Sequence, residues 1–385
     1  MPKSLIIKNC ILYDKQEKGK HFIVLENGKI ASIKKQTSRD SEKGIDAQGR
    51  IITPGFIDIH IHGAGGADVG DGSEQSLKKM GQTLARYGVT SFLATTMMDP
   101  DTDNQHLEIL KQSLVKSYKG ANILGVHLEG PFISLENRRG IPERAVYDYS
   151  EKALKEILDL TGHNLKMMTI APEIKNGLKM VEALKKNNII PALGHTNASY
   201  QETKAGFQAG IQHVTHIFNA MPSLHHRNPG PLLAIFESDK VSAQIISDGV
   251  HLAPEIVKYL YNTLGEERCI CITDGIQAIG LPDGKYEYYG REYIKKEGTA
   301  RYLDGTLIGT TLDTGTIAMK FNQFTGCSLE TAVNTITENP ARLLGISDQK
   351  GSLEVGKDAD LVLLNDDNSV YATFVEGKLV YKQEK

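Results

Sequence analysis

Short apolar runs alternate with segments of helical periodicity through the middle of this 385-residue chain. After the first run, for example, SEQSLKKMGQTLARYG repeats its apolar residues every three or four positions, the spacing of an amphipathic helix. Near-continuous apolar strands alternating with helices indicate a parallel sheet covered on both faces. Eight such runs predict a TIM-like (β/α)₈ barrel rather than an open sheet. The runs are GFIDIHIH, VTSFLATT, NILGVHLEG, LKMMTIAPE, NIIPALGHT, IQHVTHIFNA, VSAQIISDG and RCICITDG.

The two ends of the chain have a different pattern. Residues 1–53 contain short strand-like segments with turns, including an Asn27-Gly28 hairpin signal. The segments DADLVLLN and YATFVEGKLVYK near the other end are also typical of strands. We therefore predict two domains: a small β-sandwich domain formed by residues 1–53 plus 351–385, and a barrel formed by residues 54–350.

Composition narrows the class of protein. The formal net charge of 44 − 47 = −3 excludes the strongly basic surface of a nucleic-acid binder. No apolar run approaches the roughly 18 residues that a membrane span needs. The four cysteines form no Cys-x-x-Cys pair, which fits a reducing compartment. We expect a cytoplasmic protein whose partner is a small molecule, with neither nucleic acid nor membrane involved.

Almost every apolar run ends in an ionisable or hydroxyl group. In a barrel these ends meet at one rim, where catalytic groups collect. Strand ends are also polar simply because loops begin there, but that explanation does not account for four histidines on three runs. The groups are His60, His62, Thr95, Glu129, Glu173, His195, His216, Asp248 and Asp274.

Two of these groups, His60 and His62, are spaced two residues apart on a predicted strand. Their side chains therefore point to the same face and can bind one metal ion from one side. The alternative is a hydrogen-bonded pair of core histidines. The glycine-rich turn that follows in PGFIDIHIHGAGG favours the metal interpretation.

Glu129, His195 and His216 end the third, fifth and sixth runs. One carboxylate and two imidazoles are the ligands expected of a catalytic zinc or iron ion with an open position for water. The alternative for Glu129 is an ion pair with Arg138 or Arg139. Two further histidines precede these residues, and we interpret both as supporting or core residues: His127 and His213.

Asp274 closes the eighth run in ITDGI. An aspartate at the rim, opposite a metal ion, is suited to take a proton from water and return it to a leaving group. A metal ligand and a helix N-cap are the alternatives.

The segment NAMPSLHHRNPG places Arg227 beside His225 and His226, just beyond the sixth run. This cationic loop suits an anionic substrate, and phosphate especially, because Arg binds it with two parallel hydrogen bonds. A solvated basic loop is the alternative. His251 in DGVHL is a further candidate for anion binding.

Taken together, these motifs resemble the N-acetylglucosamine-6-phosphate deacetylases of the amidohydrolase superfamily. The resemblance covers essentially the whole chain in order, and it implies hydrolysis of the sugar's acetamide to D-glucosamine 6-phosphate and acetate, in amino-sugar catabolism. The motifs are PGFIDIHIHGAGG, HLEGPF, GHTNAS, THIFNAM, HHRNPG, SDGVHL, ITDG, DGTLIG, ENPARLLG and GKDADLV.

The resemblance implies that Glu129, His195 and His216 bind the main metal and that Asp274 is the general acid and base. Family members that lose the second histidine of His-x-His are associated with one metal, whereas this chain keeps both. We therefore hypothesise two metal positions bridged by Glu129. Zinc is the favoured ion, with iron, manganese or cobalt as the alternatives.

The resemblance also assigns residues to the substrate. Arg227 and His251 reach the sugar phosphate in this family from the neighbouring subunit, which implies a homodimer. The residues implied to contact the rest of the sugar are Asn219, Ala220, Leu307, Ile308 and Gly309.

One departure from the family bears on the sugar. Members commonly carry Gly-Ala-His or Gly-Ala-Gln after the HLEGP segment, where the last side chain helps to bind substrate, whereas this chain has Ile141 and Pro142. Neither side chain donates that hydrogen bond, which leaves N-acetylgalactosamine 6-phosphate as an alternative substrate.

The sequence argues against two further classes of protein. A dihydroorotase-like enzyme needs a carboxylated lysine after the fourth strand, and here that run ends in IAPE, with Lys166 at its beginning. A degenerate, non-enzymatic barrel used as a sensor or scaffold would have lost a metal-binding residue or the rim aspartate. This chain retains all of these residues.

Overall fold

The computed structural model describes residues 4–14, 19–35, 44–114 and 118–384. Eight strands form a barrel and follow one another in chain order, with every neighbouring pair along that order parallel. Each predicted apolar run contains one of them, so the barrel prediction is confirmed. The barrel strands are Phe56–Ile61, Val89–Thr96, Asn122–Glu129, Leu165–Ile170, Ile190–Leu193, His213–Val214, Ser242–Ile245 and Cys269–Cys271.

The barrel closes between its first strand and the segment after its eighth. Ile61 forms a parallel bridge with Gly275. The Asp274 amide donates a hydrogen bond of 2.9 Å to the carbonyl of His60, and the His62 amide donates one of 2.8 Å to the carbonyl of Gly275. We call residues 60–62 and 273–275 the closing seam. This seam holds both histidines of His-x-His beside Asp274.

Helices cover the outside of the barrel. The first helix begins after Ser73, whose hydroxyl accepts a hydrogen bond from the Ser76 amide, and it buries Leu77, Met80 and Leu84 on one face. Ten helices lie in the described ranges: Glu74–Arg86, Gln105–Ser113, Glu151–Thr161, Gly177–Lys186, Tyr200–Ala209, Gly230–Phe236, Pro254–Leu264, Thr314–Thr325, Leu329–Asn334 and Glu338–Leu343. In that part of the chain, no helix combines the length and apolar character needed to cross a bilayer.

Strands from both termini form a separate sheet, which confirms the small β-domain. Ile51–Pro54 pairs antiparallel with Leu361–Leu364 and so joins the two ends of the chain. Asn27 and Gly28 have positive φ angles at the predicted hairpin. The strands are Leu5–Leu12, His21–Glu26, Lys29–Lys35, Ile45–Asp46, Ile51–Pro54, Leu361–Leu364, Val370–Val375 and Lys378–Lys382. The exact domain boundaries, at residues 53/54 and 350/351, stay a prediction.

A four-stranded antiparallel sheet follows the eighth barrel strand, and sequence analysis did not predict it. Its last strand returns to the barrel, where Thr310 forms a parallel bridge with Gly275 of the closing seam. The strands are Gly284–Tyr288, Arg291–Lys296, Thr299–Tyr302 and Leu307–Thr310. The shorter elements are the paired strands Gly63–Ala64 and Ala67–Asp68 and the 3₁₀ turns Val69–Asp71, Pro100–Thr102, Glu143–Ala145 and Glu266–Arg268.

Candidate active site

Six of the polar strand-end groups meet at one rim of the barrel. They form two clusters whose side-chain nitrogen and oxygen atoms lie within 4.8 Å of one another in each cluster. We call Glu129, His195 and His216 the first donor set, and His60, His62 and Asp274 the second donor set. Sequence analysis named all six residues, and the structure brings all six together.

The first donor set is tightly convergent. Oε1 of Glu129 lies 3.0 Å from Nε2 of His195 and 3.1 Å from Nε2 of His216, and the two Nε2 atoms are themselves 3.1 Å apart. The other ring nitrogen of His195, Nδ1, donates a hydrogen bond of 2.8 Å to the Asn137 carbonyl. Its Nε2 therefore carries a lone pair in the neutral ring. Ring nitrogens directed at one point beside a carboxylate fit a metal ion.

The second donor set faces the first across Glu129. Oδ1 of Asp274 lies 3.2 Å from Nε2 of His60 and 3.2 Å from Nε2 of His62. Glu129 turns one oxygen toward each histidine, with Oε1 3.6 Å from His60 and Oε2 3.6 Å from His62. Nε2 of His60 is buried and has no hydrogen-bond partner among the described residues, as expected of a nitrogen that binds metal.

The charges of the site oppose the effect of burial. Burial raises the pKa of Glu129, but the charge and hydrogen bonds of the neighbouring histidines hold it well below its usual range. His60 and His62 lower the pKa of Asp274 in the same way. Burial lowers the pKa of His62, but the hydrogen bond to Asp274 and the charge of Glu129 raise it to about 9. Two ionised carboxylates beside imidazoles suit a divalent cation.

Local backbone geometry turns these side chains inward. His195, His216 and Asp274 each follow a barrel strand by two or three residues and have φ angles of +46°, +24° and +48°. Such left-handed conformations are uncommon outside glycine and occur at functional sites. The segment after Asp274 forms a bridge and a turn, not a helix, so the N-cap alternative is wrong.

The structure also decides three alternatives from the sequence. His60 and His62 face carboxylates instead of forming a hydrogen-bonded pair with each other. No ion pair joins Glu129 to either neighbouring arginine within the described ranges, and the Arg138 guanidinium instead donates to the Ile141 carbonyl. His127 lies outside both donor sets, because its ring nitrogens contact the Ile59 carbonyl and the Thr169 hydroxyl. The other histidine interpreted as a supporting or core residue, His213, also lies outside the donor sets, and its ring contacts the Ser242 hydroxyl.

Sequence reasoning missed two buried polar residues that contact members of the donor sets or their backbone. Asp58 is fully buried on the first strand, and its carboxylate accepts hydrogen bonds from the His60 amide and from the hydroxyls of Thr273 and Thr314. Burial raises its pKa to about 6. Gln244 accepts hydrogen bonds from His60 and His216. A carboxylate and an amide inside apolar runs were the signals available in the sequence.

The residues implied to contact the sugar lie beside the donor sets. The Ala220 carbonyl accepts a hydrogen bond from the Thr196 amide, which fixes its loop next to His195. Asn219 precedes it in the same turn, with its amide bonded to the His216 carbonyl. Leu307, Ile308 and Gly309 lie on the last strand of the inserted sheet. A Cβ on Gly309 would lie 3.0 Å from the Asp274 carbonyl, so this strand passes close to the rim.

The phosphate candidates lie on two loops after the sixth and seventh strands. Arg227 is exposed, and its guanidinium contacts the His226 ring at 2.9 Å. His251 is held by Asp248, whose carboxylate accepts a hydrogen bond of 2.6 Å from its Nδ1. That bond uses one of the two ring nitrogens of His251 and fixes the orientation of its ring.

The stretch that departs from the family divides into two parts. Ile141 is buried in the main core, so its side chain is unavailable to a ligand. Pro142 lies on the wall of a pocket of about 240 Å³ beside the end of the second strand. The other lining residues are Gly70, Thr96, Met97, Met98, Asp99, Asp101, Thr102, His106, Arg144 and Tyr289.

Comparison with known families agrees with this geometry. Residues 51–380 match the model of the Amidohydrolase family. The chain belongs to the amidohydrolase family. This membership confirms the resemblance found in the motifs, and the two donor sets are the candidate metal-binding groups of a metal-dependent amidohydrolase.

Individual amidohydrolases match along nearly the full length. The N-acetylglucosamine-6-phosphate deacetylase of Bacillus subtilis (strain 168) is 35% identical over 99% of this chain and 98% of its own. The N-acetylgalactosamine-6-phosphate deacetylase of Escherichia coli O157:H7 is 33% identical over 93% of this chain and 94% of its own. A Mycobacterium smegmatis N-acetyl-D-glucosamine-6-phosphate deacetylase mutant, solved with N-acetyl-D-glucosamine-6-phosphate, superposes with a TM-score of 0.90 at 27% identity, covering 98% and 99%.

Proposed function

We propose that this chain hydrolyses the acetamide of N-acetyl-D-glucosamine 6-phosphate to D-glucosamine 6-phosphate and acetate. The observation that carries this proposal is the meeting of the two donor sets at the rim of a closed barrel. The full-length similarity to a Bacillus subtilis deacetylase of that name supports it. The solved relative with this phosphosugar bound shares the fold at a TM-score of 0.90.

We propose a divalent metal position at each donor set, with Glu129 between them. The support is that Glu129 turns one oxygen toward His60 and the other toward His62. Its Oε1 also contacts His195 of its own donor set. Zinc is the ion we favour, and iron, manganese and cobalt accept the same ligands. A bound metal supplies positive charge that polarises the acetamide carbonyl and makes water more acidic.

Asp274 is the proposed general acid and base. It takes a proton from the attacking water as the water oxygen bonds to the acetamide carbon, and it delivers that proton to nitrogen as the carbon–nitrogen bond breaks. The products are then the free amine and acetic acid, which ionises to acetate. In support, the Asp274 side chain is 21% exposed, whereas that of Glu129 is 7% exposed, so Asp274 is the carboxylate open to water and substrate.

The substrate is proposed to lie between two backbone segments beside the donor sets. One is the turn of Asn219 and Ala220, which is bonded to the His195 loop. The other is the strand of Leu307, Ile308 and Gly309, which passes the Asp274 carbonyl. A turn and a strand on either side of the donor sets suit a concave site for one small sugar.

Arg227 and His251 are proposed to bind the 6-phosphate of a substrate held by the neighbouring subunit of a homodimer. The support is chemical: a guanidinium binds phosphate with two parallel hydrogen bonds, and Asp248 orients the His251 ring. A cytoplasmic location stays a prediction from the sequence.

N-acetylgalactosamine 6-phosphate is the second candidate substrate. The observation that favours it is the burial of Ile141 where family members carry a substrate-binding side chain. The 33% identity to an Escherichia coli O157:H7 deacetylase for that sugar supports it as well.

The test is acetate release from both amino-sugar 6-phosphates and from their unphosphorylated forms, with metal content measured in parallel. We expect the glucosamine derivative to be the fastest and the unphosphorylated sugars to be slow. Equal rates with and without phosphate would refute the role of Arg227 and His251. Failure to release acetate from any of the four by metal-loaded protein would refute the proposed reaction.

A further inference from the structure

Gln244 lies on the seventh barrel strand and is completely buried inside the barrel. None of the roles proposed above uses it. Its amide contacts His60 of the second donor set and the backbone of His216 of the first. A polar side chain in such a position is costly unless its hydrogen bonds are satisfied.

The amide oxygen of Gln244 accepts two hydrogen bonds from the site. One comes from Nδ1 of the His60 ring at 2.8 Å, and the other from the backbone amide of His216 at 3.2 Å. A backbone N–H is always a donor, which identifies the Gln244 atom as oxygen. Because an amide oxygen only accepts, Nδ1 of His60 must carry a hydrogen.

The tautomer of His60 decides which of its nitrogens binds a cation. A neutral imidazole with hydrogen on Nδ1 has its lone pair on Nε2. That nitrogen lies 3.2 Å from Asp274 and 3.6 Å from Glu129 and has no hydrogen-bond partner in the described part of the chain. The Gln244 contact therefore keeps a lone pair available on the nitrogen that faces both carboxylates.

The amide nitrogen of Gln244 makes only a weak hydrogen bond. Among the described residues its hydrogen-bond contact is with the Met167 sulfur at 3.8 Å, and a thioether is a weak acceptor. If packing alone decided this position, a methionine or leucine would fill the space without burying a polar group. The oxygen contacts are the feature that distinguishes glutamine here.

We propose that Gln244 is a positioning residue for the metal centre. It sets the tautomer and orientation of His60 in the second donor set, and it fixes the backbone of His216 in the first. This inference rests on the metal positions of the proposed function. It assigns Gln244 no contact with metal or substrate.

The variant Gln244→Met keeps the side-chain volume and removes the acceptor. Gln244→Glu keeps an acceptor for both hydrogen bonds and should therefore retain zinc binding. Met167→Leu is the matched control, because it removes the contact to the amide nitrogen and leaves the oxygen contacts intact. Thermal unfolding of each metal-free protein checks that the fold is retained.

The measurement is zinc affinity of metal-free protein in competition with a chromophoric chelator. Supporting residues of this kind typically change metal affinity 10- to 100-fold. We expect Gln244→Met to weaken binding by that factor at one or both positions, and Gln244→Glu and Met167→Leu to stay within about threefold of the original affinity. Equal affinity in a folded Gln244→Met protein would overturn the inference. Failure of the original chain to bind zinc would instead overturn the proposed metal centre.

The tautomer is measurable without any substitution. Nitrogen-15 chemical shifts of histidine distinguish a protonated Nδ1 from a protonated Nε2, and a His60→Ala spectrum assigns the signal. We expect hydrogen on Nδ1 of His60 in the metal-free protein. Hydrogen on Nε2 would overturn the inference even if Gln244→Met does not fold.

Discussion

Replacement of Asp274 by asparagine separates its chemistry from its place in the fold. Its backbone amide, not its side chain, donates to the His60 carbonyl in the closing seam. Its φ of +48° is a left-handed conformation that asparagine adopts as readily as aspartate. The variant Asp274→Asn should therefore fold and keep the seam, while it loses a negative charge 3.2 Å from both His60 and His62.

The expected loss of activity follows from the proposed role. A positioned general acid or base contributes about 10²- to 10⁴-fold to a rate. Asp274 is proposed to move the proton in both directions, so we expect kcat to fall by about 10³-fold or more. At 1.36 kcal/mol for each factor of ten, this corresponds to about 4 kcal/mol of activation free energy. Loss of the carboxylate should also lower the pKa of His62, which Asp274 helps to raise.

The assay is acetate release from N-acetylglucosamine 6-phosphate, with metal content and thermal unfolding measured on the same samples. Glu156→Gln makes the same chemical change at an exposed helical position, where Glu156 forms an ion pair with Lys152 at 3.8 Å, and it should leave kcat unchanged. If folded, metal-loaded Asp274→Asn retains more than about a tenth of the original kcat, the acid–base assignment is wrong.

Four further predictions concern stability, pH dependence, thiols and substrate. Lys350→Met leaves the buried Asp360 without its cation at 2.6 Å, so urea unfolding should show a loss of about 3 kcal/mol. Burial raises the pKa of Asp358, but hydrogen bonds from lysines outweigh that effect and lower it. The stability that the Asp358 carboxylate contributes is therefore present above a pH of about 4 and is lost as the pH falls further. Asp358→Asn should abolish that part of the pH dependence of unfolding. Burial raises the pKa of the Cys271 thiol to about 12, so a thiol reagent at pH 8 should label it only after unfolding. Arg227→Ala should raise KM for phosphorylated sugars and leave unphosphorylated ones unchanged; an equal effect on both would contradict phosphate binding.

The barrel was predictable because its strands are buried on both faces. All eight lie within apolar runs bounded by polar strand ends, and no contact distant in sequence was needed to find them. The inserted sheet between residues 284 and 310 was not predictable in this way. Its strands alternate exposed charges with few buried side chains, mainly Tyr293 and Ala300, so no continuous apolar run marks them.

The donor sets were predictable for a related reason. Parallel strands place their carboxyl ends at one rim, so position along each run placed the six residues among the nine polar groups expected there. The ligand chemistry of histidine and carboxylate then singled out the six. Asp58 and Gln244 were not predicted because they lie within barrel strands, below the rim. The partner of the Gln244 amide on the first strand is His60, 184 residues away in sequence, and only the closed barrel brings the two together.

The two donor sets depend on different parts of the fold. The first is held by the third, fifth and sixth strands and their loops, within the continuous parallel sheet. The second exists only where the sheet closes, because His60 and His62 come from the first strand and Asp274 follows the eighth. Asp58 ties these two edges through Thr273, and Gln244 ties His60 to the first set. Closure of the barrel and assembly of the second donor set are therefore one structural event.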